Sequence, residues 1–209
     1  MTYPALVVAA SGGGSNLQAL IDAIAAGSLP MRIALVLSDQ PTSGAVQRAI
    51  THSIPVCAIP YPKRATPAER SAWEHTALAV VDCFAPHLIL LSGFMRILSS
   101  ETLSRVHIPM LNQHPALLPD DGGDKVVLPD GRVIPALRGA HVVRDALAQR
   151  LPVTGCTIHR VVPDVDRGPV IARASVEVDP TDTEATLHSR IRLVEQQLLL
   201  DTLRSSRWQ

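Results

Sequence analysis

Asn112 and His114 stand two residues apart, with Pro115 directly after them. They close a run, Ile108-Pro109-Met110-Leu111, that reads as a short buried strand. On a strand, residues i and i+2 point the same way, about 7 Å apart along the chain. Pro115 has no N–H for a ladder, so the pair marks a strand's carboxyl end. In open α/β sheets, ligands bind at that end. An amide and an imidazole there suit reaction at a carbonyl. The amide holds an oxygen as it gains negative charge, and the imidazole gives or takes a proton near pH 7. Alone, an Asn or His at a strand end is more often a turn former or a satisfied polar group than a catalyst.

Other segments add to them. Val162-Pro163-Asp164-Val165-Asp166-Arg167-Gly168-Pro169 is a turn with two aspartates. Turn aspartates commonly bond their own backbone. One that approached His114 would raise the imidazole's pKa. Carboxylate, imidazole and amide together make a workable acyl-transfer site without a covalent intermediate. His159, on the apolar strand before this turn, reads as structural.

Ser11-Gly12-Gly13-Gly14-Ser15-Asn16 follows the first apolar run and precedes a helical pattern. Peptide N–H groups at such a helix start suit an anion, and glycines let a phosphate approach. No lysine follows the glycines and the GxGxxG spacing is not met, so neither nucleotide fingerprint applies. Gly93 to Leu98 leaves the end of another apolar run, where backbone groups can read the edge of a flat heterocycle. By spacing alone, Arg96 there is a surface ion-pair residue. Arg192 and Glu195, at i and i+3, read as a solvated salt bridge.

The elements that must position these residues alternate. Strands are expected at Ala5 to Ala10, Met31 to Leu37, Val56 to Ile59, His87 to Leu91, the Asn112 segment, Thr154 to Val162 and Pro169 to Val178. Helical spacing recurs from Leu17 to Ile24, Ser43 to Ser53 (Val46, Ala49 and Ile50 inward), Ala68 to Phe84, Ser100 to Arg105 and Gly139 to Arg150. A last helix carries Leu187, Ile191, Val194 and Leu198 inward, with Thr181 as its expected cap. Asp120 to Ala136 breaks the rhythm as a β-hairpin around Asp130-Gly131. The pattern predicts an α/β fold with a mostly parallel, doubly wound sheet.

The 209 residues are expected to form a single domain, 1–209. An apolar share of 46% argues against disorder, and 19 basic against 19 acidic side chains argue against a nucleic-acid or membrane-surface partner. Three scattered cysteines without CxxC or Cys/His spacing suggest free thiols in a reducing compartment and no metal. Without a signal-like start or a membrane-length apolar run, a soluble cytoplasmic protein is expected.

In order along the chain, Ser-Gly-x-Gly-Ser-Asn, Gly-Phe-Met-Arg-Ile-Leu, Asn-x-His-Pro-x-Leu-Leu-Pro and Asp-x-Gly-Pro resemble the phosphoribosylglycinamide formyltransferases over nearly the whole length. The resemblance implies a Rossmann-like formyltransferase fold. It also implies transfer of a formyl group from 10-formyltetrahydrofolate, a co-substrate, to the amine of glycinamide ribonucleotide in purine biosynthesis. Gly14, Ser15 and Asn16 would hold the phosphate, with Arg192 near it and Glu195 on the ribose hydroxyls. Met95, Arg96, Ile97 and Leu98 would bind the pteridine through backbone groups, with Asn112 beside it and Arg70 facing the folate. Val162 to Asp166 would form part of the folate loop. Asn112, His114 and Asp166 match the catalytic trio, Asp166 keeping His114 protonated. Small-molecule partners only, and a monomer or homodimer, are implied.

The chain departs from that pattern in three places. The hairpin at 120–136 is an insertion by this comparison, Arg138 stands where proline is usual, and Arg167 replaces a common glycine. The alternatives are a formyltransferase acting on another phosphorylated amine, such as an amino sugar nucleotide, and a folate-binding module without catalysis.

Overall fold

The computed structural model describes residues 3–205 and 208. In chain order the elements are β1 (Ala5–Ala9), α1 (Ser15–Ala25), β2 (Arg32–Ser38), α2 (Gly44–Thr51), β3 (Val56–Ala58), α3 (Pro67–Asp82), β4 (Leu88–Leu91), α4 (Ser100–Ser104) and β5 (Met110–His114). There follow β6 (Lys125–Val127), β7 (Val133–Pro135), α5 (Val142–Ala148), β8 (Val153–Arg160), β9 (Val170–Glu177) and α6 (Glu184–Arg204). Seven strands form a mostly parallel sheet in the order β3-β2-β1-β4-β5-β8-β9, and β6 and β7 form a separate pair. The α/β class expected from the sequence is thus observed. By its contacts the chain divides into two compact units, Met1–Leu111 and Asn112–Gln209.

In the first unit β1 runs parallel to both β2 and β4, and β2 parallel to β3. All five residues of β1 are buried, as a central strand covered on both faces requires. α1, α2 and α3 each turn an apolar stripe inward, through Leu17, Leu20 and Ile21, Ala45, Val46 and Ala49, and Trp73, Ala77 and Val81. Ile50, expected inward, is 59% exposed. It sits one position past Ala49, at the edge of a stripe too narrow to cover it.

In the second unit β8 and β9 pair antiparallel, with Thr157 opposite Arg173. Leu187 and Ile191 of α6 and Val142 and Val143 of α5 pack with Cys156 and Val176. The hairpin forms as expected, Val126 opposite Ile134. Its strands alternate exposed, buried, exposed, so Val126 and Ile134 pack against Leu117 and Val153. α6 is capped by Thr183, whose hydroxyl accepts from Thr186 N–H, and not by Thr181. Thr181 is engaged one turn earlier, donating from N and Oγ1 to Asp179 Oδ1.

Candidate active site

β5 ends with Asn112 and His114 on one face, as the strand period requires. Both side chains meet Asp166 from the turn after β8. His114 Nδ1 lies 3.4 Å from Asp166 Oδ2, and Asn112 Nδ2 lies 3.4 Å from Asp166 Oδ1. His159, on β8, joins them. Its Nε2 is 3.2 Å from Asn112 Nδ2 and 3.5 Å from Asp166 Oδ1, while its Nδ1 faces the Arg160 carbonyl at 2.9 Å. The His114 and His159 rings cross edge to face, 6.5 Å apart. So the histidine read as structural belongs to the same cluster as the three expected residues.

The loop before α5 completes the enclosure. His114 Nε2 donates to the Leu137 carbonyl at 2.8 Å, and Gly139 N–H donates to Asp166 Oδ2 at 3.1 Å. Asp166 adopts a left-handed backbone, φ 53°. That conformation is uncommon for a residue with a side chain and marks strain held by its surroundings. Gly168 makes the turn possible, because a Cβ there would lie 1.8 Å from the Arg160 carbonyl oxygen.

His114 is 3% exposed. Burial lowers its pKa, and this outweighs the raising effect of Asp166 and of the Leu137 carbonyl. That direction runs against the expectation that Asp166 keeps His114 protonated. With Nε2 donating to the Leu137 carbonyl, a neutral ring would turn its Nδ1 lone pair toward Asp166. Burial alone would raise Asp166, but hydrogen bonding from His159, the positive charge His114 carries when protonated, and the Gly139 N–H bring its carboxyl down to about 2. The cluster thus holds a carboxylate, an imidazole able to accept a proton, and an amide N–H donor.

The glycine turn lies in the first unit. Gly14 is left-handed at φ 73°, and a Cβ there would meet Ala45 Cα at 2.7 Å, so the turn is pressed against the start of α2. The Gly12 carbonyl accepts from Ala45 N–H and the Gly13 carbonyl from Arg48 Nε. Nothing would meet a Cβ at Gly12 or Gly13, so that side of the turn is open. Ser15 and Asn16 begin α1, whose first peptide hydrogens have no acceptor within the helix.

Also in the first unit, a cavity of about 580 Å³ is lined by Arg70, Met95, Arg96 and Ile97 together with Asp39, Tyr61, Lys63 and Arg64. Arg96 is more than a surface ion pair. Its Nε lies 2.6 Å from Oδ2 of the fully buried Asp39, and its guanidinium sits 4.4 Å over the Tyr61 ring. Asp39 Oδ1 has no hydrogen-bond partner among the described residues. The Gly93–Leu98 segment is fixed at both ends. Phe94 stacks on Trp73, and Glu74 of α3 accepts from Ser99 N–H at 3.1 Å and from the hydroxyls of Ser99 and Thr102. Met95 N–H donates to Ser11 Oγ, and Ser11 N–H to the Gly93 carbonyl. Sequence reading missed Asp39, Tyr61, Trp73, Glu74 and Ser11 here. Only an acid at a buried helix position, Glu74, was a visible signal. Leu98 is not among the residues lining the cavity.

Arg192 and Glu195 lie on α6, Arg192 partly exposed and Glu195 buried. Burial, then the nearby Glu195, push the Cys156 thiol up to about 12. Among the described residues no helix is long and apolar enough to cross a membrane, and no group of three or more His, Cys, Asp or Glu side chains is arranged to hold a metal ion.

Residues 5–203 match the family described as formyl transferase. The phosphoribosylglycinamide formyltransferase of Mycobacterium tuberculosis is 40% identical over 195 residues, 93% of this chain and 81% of that protein. The human trifunctional purine biosynthetic protein adenosine-3 is 33% identical over 92% of this chain, which spans only 17% of that protein. The crystal structure of phosphoribosylglycinamide formyltransferase from Bacillus halodurans superimposes with a TM-score of 0.81 at 32% identity, covering 96% of this chain and 94% of that one. With a matched span running from the first strand to the end of the last helix, the chain belongs to the formyl transferase family.

Proposed function

We propose that this chain transfers the formyl group of 10-formyltetrahydrofolate to the amine of glycinamide ribonucleotide, by direct attack through a tetrahedral intermediate. The observation that carries this reading is the meeting of Asn112, His114 and Asp166 at the end of β5. Those groups can hold an oxyanion and move a proton, and among the described residues that contact them no serine or cysteine side chain is found.

The neutral substrate amine attacks the formyl carbon, forming the new carbon–nitrogen bond and driving the carbonyl pair onto oxygen. Asn112 turns an amide hydrogen toward that oxygen, leaving one of its two partners, His159 or Asp166. His114 Nδ1 takes the proton that the amine must lose, and Asp166, ionised beside it, stabilises the imidazolium formed. The same proton then goes to the folate nitrogen as its bond to carbon breaks. His159 supports Asp166 and Asn112 without touching the reacting atoms.

Gly14, Ser15 and Asn16 hold the ribonucleotide phosphate, with Arg192 and Glu195 assigned to phosphate and ribose. Met95, Arg96, Ile97, Leu98 and Arg70 bind the folate. Met95 N–H is already given to Ser11, so the backbone contacts to the pteridine fall to its neighbours. The chain acts as a single cytoplasmic formyltransferase domain, monomeric or dimeric, with small-molecule partners only.

The test is an absorbance assay of folate product with glycinamide ribonucleotide against amino sugar nucleotides. Turnover with the ribonucleotide alone is expected. Turnover only with an amino sugar nucleotide, or binding of folate without turnover, refutes the reading.

A further inference from the structure

Leu137, Arg138 and Gly139 touch the His114–Asp166 pair three times. The Leu137 carbonyl accepts from His114 Nε2, Gly139 N–H donates to Asp166 Oδ2, and Arg138 Nε donates to the Asp166 carbonyl at 3.1 Å. The rest of the Arg138 guanidinium is spent on one short segment. Nη1 donates to Asp124 Oδ1 at 3.2 Å, and Nη2 to the carbonyls of Gly122 and Gly123. Its side chain is only 16% exposed. The residue after Asp166 binds the same segment from the other side. Arg167 Nη2 donates to Asp124 Oδ1 at 2.7 Å and its Nη1 to the Gly122 carbonyl. The segment is tied down in turn by Arg173, which donates to the Leu118 carbonyl and to Asp120 Oδ2.

From this geometry we infer that Arg138 is a positioning residue that aims Asp166 at His114, and that the Asp120–Asp124 segment is the brace that holds it. Asp166 sits in a strained left-handed backbone, which persists only when its surroundings over-determine it. Arg138 grips the carbonyl of that peptide while its neighbours hold the carboxylate and the ring. A shift of residues 137–139 therefore misplaces donor and acceptor together. The task needs a planar fork with several donors at fixed angles, which arginine has and lysine lacks. On this view Arg138, Arg167 and the Asp120–Asp124 segment form one device that fixes the turn carrying Asp166.

The inference rests on the reading that His114 and Asp166 carry the proton transfer, and the test separates the two. Arg138→Ala, Arg138→Lys, Asp124→Ala and Asp166→Asn are made in the full chain and assayed for formyl transfer. Arg138→Ala is expected to lower kcat by about 100-fold, with KM for either substrate changed by less than about 3-fold, because a misplaced group costs turnover rather than binding. Millimolar guanidinium chloride is expected to return part of that turnover to Arg138→Ala and none to Asp166→Asn. Arg138→Lys and Asp124→Ala fall between wild type and Arg138→Ala, and they carry the test should Arg138→Ala fail to fold. An inactive Asp166→Asn beside an Arg138→Ala or Arg138→Lys of normal kcat overturns the inference alone. So does a folded Arg138→Ala whose loss guanidinium leaves untouched. An active Asp166→Asn overturns the catalytic reading and the inference with it.

Discussion

His114 Nδ1 and Asp166 Oδ2 face each other at 3.4 Å, longer than a normal hydrogen bond, inside a cluster that water barely reaches. A proton arriving at Nδ1 converts the same contact into an ion pair. Asp166→Asn keeps the shape and removes the charge that makes this favourable. We expect its kcat to fall by roughly 10²–10⁴-fold with KM little changed, as for loss of a group acting in the transition state. Steady-state kinetics with both substrates checks this, and a variant of normal kcat removes Asp166 from the chemistry.

The pH profile should follow His114. Its pKa lies below 6.5 because the ring is buried, so kcat/KM is expected to rise with pH through a point below 6.5 and to be flat near neutrality. Asp166, at about 2, adds no limb in the working range. Stability follows with a definite sign. Between the lowered pKa of folded His114 and 6.5, the unfolded chain binds the proton more readily, so stability rises with pH across that window. The contribution of Asp166 is present above 3.8 and is lost as pH falls toward about 2. Urea titrations at several pH values read both. A rate limb centred above 6.5 would contradict a buried neutral ring.

Gly168 has no room for a side chain. With a Cβ 1.8 Å from the Arg160 oxygen and 3.3 Å from Val162 Cγ1, Gly168→Ala must open the turn that presents Asp166. A loss of roughly 3 kcal/mol or more is expected, with kcat falling alongside it. Thermal melting and kinetics on the same sample check it. An unchanged melting point would mean that the turn relaxes freely.

Asp39→Asn tests the folate side. It keeps the volume and leaves the Arg96 guanidinium without its buried counter-charge. We expect KM for the folate to rise by about 10-fold, or ~1.4 kcal/mol, with kcat close to wild type. A fall in kcat at unchanged KM would assign Arg96 to the chemistry instead.

Much of this was legible in the residues, for local reasons. Ala5–Ala9 is apolar without interruption because both faces are covered. Asp130-Gly131 announces its hairpin through turn chemistry, and Asn112 and His114 share a face because strand alternation leaves no choice. What stayed hidden lies far apart in sequence. Arg96 finds Asp39 across 57 residues, and His159 finds Asn112 across 47. No local pattern predicts such pairs. The balance between burial and charge at His114 is of the same kind, since only the packed site shows how deeply the ring is sunk. Thr181 was the expected cap of the last helix, but Asp179 accepts from it, and Thr183 caps α6 instead.

Ser11 sits between two loops and is bonded both ways, giving its N–H to Gly93 and accepting from Met95. A phosphate held at the glycine turn, as proposed, would bear through Ser11 on the peptide that borders the cavity lined by Arg70, Met95 and Arg96. If the two substrates bind as proposed, two hydrogen bonds and a single serine join their loops, and the affinity of each is expected to depend on the presence of the other.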